Sequence, residues 1–85
     1  MITTNTLKLN FSQENEVRAL AVNFFESKKG DDYFEFSLEG TRLNLKTIRH
    51  EIVFLVSSED GSFFITIEID ENKKPLRSTL KLIAR

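Results

Sequence analysis

The sequence contains no cysteine, which excludes disulfides, thiolate metal sites and thiol catalysis. It has one histidine, His50, and one proline, Pro75. Its three glycines, Gly30, Gly40 and Gly61, each fall where a turn or a helix end is expected, and none belongs to a phosphate-cradling motif. No apolar run approaches the ~20 residues that a bilayer-spanning helix needs. Residues Met1 to Leu7 lack both the basic and the apolar segment of a secretory signal. These absences make a cytoplasmic location without membrane association the expectation. Neither sign of charge dominates, since 12 Lys and Arg face 13 Asp and Glu for a formal net charge of −1. No whole-molecule field therefore draws the chain onto nucleic acid.

What is present suits a packed core. Eighty-five residues, 40% of them hydrophobic and eight of them Phe, predict a single domain over 1–85. Val17, Leu20, Ala21, Phe24 and Phe25 recur at i, i+3, i+4, i+7 and i+8, one apolar stripe on a helix. Ser12 is the expected N-cap, Glu14 and Glu16 suit the first turn, and Lys28 and Lys29 suit the last. With Gly30 as the left-handed stop, the helix is predicted over about 13–29.

Alternating apolar residues on either side of this helix predict strands. Thr6 to Phe11 forms a first short strand in this reading, with Leu7, Leu9 and Phe11 on one side. Gly40-Thr41 reads as a two-residue type II′ turn. It would pair Leu38 with Leu43, Phe36 with Leu45, Glu39 with Arg42 and Glu35 with Lys46. A tight turn at Arg49-His50 would set Thr47 against Ile52, Leu45 against Phe54 and Leu43 against Val56. Asp60-Gly61 reads as a type I′ turn setting Val56 against Ile65, Phe54 against Ile67 and Ile52 against Ile69. The tail after Pro75 fits a strand through Leu76, Leu80, Leu82 and Ala84, or a short helix through Leu76, Leu80 and Ile83.

The predicted fold class is α+β. An antiparallel meander of four central strands, with further strands at the N- and C-terminal ends or a C-terminal helix, carries one amphipathic helix on one face. The predicted inward face is Phe34, Phe36, Leu38, Leu43, Leu45, Ile52, Phe54, Val56, Ile65, Ile67 and Ile69. Because side chains alternate with period two, a pairing slipped by one residue would exchange the faces.

Candidate chemistry is sparse. His50, placed at a turn tip beside Arg49 and Glu51, lacks the positioned partner and pocket that general-base work requires. Glu68, Asp70, Glu71 and Asn72 lack the spacing of a calcium loop and read as a solvated strand end. Ser57, Ser58 and Ser62 flank a turn, where serine is common for conformational reasons. No catalytic set, cofactor, metal or small-molecule site is expected.

Two surfaces remain. The outward sheet face centres on Val53 and Leu55, with Lys46 among its polar rows and Tyr33, Ile48 and Phe64 at its margins. An apolar centre inside a polar rim is the anatomy of a protein interface. The second is basic: Lys73, Lys74, Arg77, Lys81 and Arg85, with no acid over residues 73–85. The expectation is a non-catalytic module that docks a protein partner or a second copy of itself. Its size suits an inhibitor or adaptor of a larger partner, of the kind mobile elements encode. The alternative is a nucleic-acid-binding regulator that uses the basic tail against phosphates.

Overall fold

A computed structural model describes residues 8–85. Helix α1 (Phe11–Lys29) precedes four strands, β1 (Tyr33–Asn44), β2 (Arg49–Ser58), β3 (Gly61–Ile69) and β4 (Pro75–Ala84). The strands form one antiparallel sheet in the order β1-β2-β3-β4, and the helix packs on one face of it.

The helix starts two residues before the predicted point, because Asn10 rather than Ser12 is its cap. Asn10 accepts a bond from the Gln13 backbone N–H, and the Gln13 side chain accepts one from the Asn10 backbone N–H. This reciprocal capping box satisfies two otherwise orphaned donors. Gly30, at φ 90°, closes the other end with its N–H donating to the Glu26 carbonyl. The capping box also removes the predicted N-terminal strand as far as the structure describes it. Residues 8–10 are not in a strand and Phe11 is helical and exposed. The remainder of that strand lies outside the described residues.

The predicted helix stripe is the buried one. Val17, Ala21 and Phe25 are fully covered, and Leu20 and Phe24 pack against the same core. Their partners on the sheet are Ile52, Phe54 and Val56 of β2 and Phe63, Ile65, Ile67 and Ile69 of β3. Phe25 sits at the centre of an aromatic group, with ring centroids 5.7 Å from Tyr33, 6.3 Å from Phe36 and 5.8 Å from Phe63. Arg18 ties the helix to β1 through a 2.9 Å bond to the Phe36 carbonyl.

Three strand predictions need correction. The Gly40-Thr41 turn does not exist, and both residues lie inside β1, opposite Val53 and Ile52. Instead β1 carries an irregularity between Leu38 and Gly40, the place where an interior strand glycine commonly marks a bulge. The pairs Leu38–Leu43, Phe36–Leu45, Glu39–Arg42 and Glu35–Lys46 therefore do not form. The turn at Arg49-His50 is likewise absent, because the chain reverses over 45–48. There the Asn44 side chain accepts bonds from the Lys46 and Thr47 amides, and Ile48 N–H donates to the Asn44 carbonyl. An Asx-type turn of this kind needs neither glycine nor proline.

The third correction is one of register. The β2–β3 loop is Glu59-Asp60, one position earlier than predicted, with Ser58 opposite Gly61. Val56 consequently faces Phe63, Phe54 faces Ile65 and Ile52 faces Ile67. Moving the bend by one residue slides every partner by two, so the same side chains still point inward. The C-terminal segment is a strand, β4, and is the fourth and last of the meander. Of the predicted inward residues, Phe34 and Leu45 are largely exposed, and Leu38 and Leu43 are only partly covered.

Candidate functional site

The sheet has a second face, turned away from the helix, and its rows can be read across all four strands. One row runs Ser37, Leu55, Phe64, Ile83, and the next runs Gly40, Val53, Thr66, Lys81. Toward one end lies Arg42, Glu51, Glu68, Leu76. Toward the other, Glu35, Ser57 and Ser62 align, and Arg85 N–H donates to the Ser62 carbonyl.

These rows enclose a shallow depression of about 450 Å³, whose floor is Gly40, Val53 and Thr66 and whose walls include Phe64, Ile83 and Arg42. The floor is low because Gly40 has no side chain and its two neighbours along the row are β-branched and short. Val53 is 9% exposed and Thr66 only 1%, although no helix among the described residues covers this side. Ile83 stands up at 43% exposure. The Arg85 guanidinium lies over the Phe64 ring at 5.8 Å, an amphipathic cover on an apolar base.

The far row holds two buried carboxylates side by side. Glu51 and Glu68 are cross-strand partners, each 5% exposed. Arg42 Nε donates to Glu51 Oε1 at 2.6 Å, while Arg49 stands 3.9 Å from Glu68 Oε1 in a looser ion pair. Glu68 Oε1 and Thr66 Oγ1 have no hydrogen-bond partner among the described residues.

Of the predicted interface residues, the structure brings Val53, Leu55 and Phe64 together on this face. It separates two others from them. Tyr33 belongs to the helix side, its ring against Phe25 and Phe36 and its hydroxyl donating to Glu26 at 3.1 Å. Burial first, and then the Glu26 carboxylate, push its phenol above the ordinary value of 10.0. Lys46 lies in the 45–48 turn, outside the sheet rows. A second irregularity in β1, between Tyr33 and Glu35, turns Tyr33 to the helix side, and Lys46 leaves the sheet because the chain reverses over 45–48.

The basic residues are spread along the whole of β4 rather than gathered. Lys73 and Lys74 sit in the turn before it, Lys73 with φ 63°, Arg77 is exposed near its start, and Lys81 and Arg85 stand on the outer face near its end. His50 lies in β2 rather than at a turn tip, with Leu43 and Ile69 as cross-strand neighbours. No group of three His, Asp or Glu side chains able to hold a metal ion occurs among the described residues, and no helix there is long and apolar enough to cross a membrane.

Sequence reasoning missed Gly40 and Glu51 as parts of this face, and it paired Arg42 with Glu39 where the structure pairs it with Glu51. Gly40 carried the available signal, because a strand glycine is an alternative reading of the same residue. Comparison with protein-family models, curated proteins and solved structures finds no match.

Proposed function

We propose that this chain is a non-catalytic interaction module that docks a protein through the outer face of its sheet. The observation that supports it is the apolar row of Leu55, Phe64 and Ile83 beside the Gly40–Val53–Thr66 depression, with Arg42, Glu51 and Glu68 toward one end of the face and Glu35 and Arg85 toward the other. An apolar centre with a charged rim excludes water at the middle and sets partner orientation at the edge.

A bait carrying Leu55→Glu should lose a co-purifying protein, whether from host extract or as a differently tagged copy. A bait carrying Lys73→Glu and Lys74→Glu should keep it. Full retention by the Leu55→Glu bait, with its circular dichroism unchanged, would refute the reading. Binding to DNA or RNA that weakens steeply with salt would replace it with the nucleic-acid alternative.

A further inference from the structure

We infer that the protein docked on this face is a second copy of the same chain, related by a two-fold axis running along the strands. This rests on the docking reading above and names its occupant. A four-stranded sheet has its centre between β2 and β3, so such an axis lays β1 of each copy over β4 of the other, and β2 over β3. Row positions are preserved, and each contact occurs twice, as an isologous interface requires.

The two edges of the face are complementary under that operation. Glu35 and Arg85 lie at opposite ends of one row, and Gly40, with Glu39 beside it, lies opposite Lys81 at the ends of another. Turning one copy onto the other brings Arg85 of the second copy over Glu35, and Lys81 of the second copy over Gly40 beside Glu39. Bulk is matched as well as charge. Ile83 of the second copy faces Ser37, the Lys81 stem faces a residue with no side chain, and Phe64 faces Leu55 once the Arg85 guanidinium lying over its ring turns out toward Glu35. Packed sheets stand ~10 Å apart, a gap that an arginine or lysine on one side and a glutamate on the other can span.

The alternative axis, across the strands, would stack β1 on β1 and β4 on β4. That axis also reverses the order of the rows, so Glu35 would lie over Arg42 while Arg85 and Lys81 would lie over Leu76 and Ile83, and the basic edge would find no carboxylate. The carboxylates of Glu51 and Glu68 do not oppose the first arrangement strongly, because each is already covered within its own chain and has an arginine beside it.

A charge-swap experiment tests both the occupant and the axis. The four residues concerned are exposed, so their substitution should leave the fold intact. Sedimentation velocity from micromolar to millimolar should show the native chain dimerising. Glu35→Lys with Glu39→Lys, and separately Lys81→Glu with Arg85→Glu, should each weaken self-association by at least ~100-fold, since every rim contact becomes like-charged. Mixed in equal amounts, the two variants should recover a 1:1 dimer, because all rim contacts are again of opposite sign. Glu59→Lys with Glu71→Lys carries the same net charge as the first variant and should not pair with the second.

Dimers that survive both double substitutions, or a mixture that stays monomeric, would overturn the axis. A native chain that stays monomeric at millimolar concentration would overturn the second copy as occupant. The docking reading would then still stand or fall on the Leu55→Glu bait.

Discussion

The two inner strands and the two outer strands follow the same alternation of side chains, but only the inner pair follows it without interruption. From His50–Ile69 to Ser58–Gly61, β2 and β3 pair residue for residue. The edge strands both break step. β1 does so between Tyr33 and Glu35 and again between Leu38 and Gly40, and β4 does so opposite Thr66 and Glu68. The β4 break is large, since Lys81 and Leu76 face β3 residues only two apart. Thr79 repairs it, its hydroxyl accepting from the Glu68 amide and donating to the Leu76 carbonyl. The fully buried residues lie on the inner pair, where any slip would expose a row of isoleucines, while Leu38 and Leu43 of β1 remain partly open.

Energies should divide along the same line. Phe54→Ala empties a site with no exposed surface at the sheet centre and should cost ~3–5 kcal/mol in urea unfolding. Leu45→Ala, in the exposed turn beyond β1, should cost under ~0.5 kcal/mol. Equal losses would erase the distinction between centre and edge.

Arg42→Ala comes next. It strands the Glu51 carboxylate in a buried position, but the arginine is mostly exposed and partly screened, so the expected loss is about 1–2 kcal/mol. Thr66→Val should go the other way. It removes a buried hydroxyl that lacks a partner among the described residues, and a gain of ~1 kcal/mol is expected by thermal or chemical unfolding. Ile48→Gly should also stabilise, by up to ~1 kcal/mol, because a β-branched residue at φ 57° is strained.

The smallest effect discriminates most sharply. Gly40 has an ordinary strand conformation, and a Cβ added there would meet nothing within 4 Å. Gly40→Ala should therefore be neutral or stabilising by about 0.5 kcal/mol. Were Gly40 the first residue of a type II′ turn, the same change would destabilise the chain, because that position requires positive φ.

These contrasts also explain what the sequence allowed to be read. The helix was legible because its stripe from Val17 to Phe25 and its Gly30 stop agree. The faces of β2 and β3 were legible even though their loop was placed one residue late. Period two forgives a slide of two. β1 was misread because Gly40 sits between two apolar pairs, a pattern that a hairpin and a bulged strand write identically. The true reversal at 45–48 contains Leu45 and Ile48, residues that signal strand, and only Asn44 hints at it. Of the outer face, Val53, Leu55 and Phe64 followed from alternation alone. The pairing of Arg42 with Glu51 did not, because it depends on the bulge.

The unequal finish of the two sheet margins has a consequence for growth. Pro75 offers no amide hydrogen at the start of β4, and the Thr79 detour takes that strand out of a straight hydrogen-bonding line. A chain of molecules joined margin to margin would need two receptive ends on every link. With β4 interrupted in this way, that margin is a poor template for a further strand.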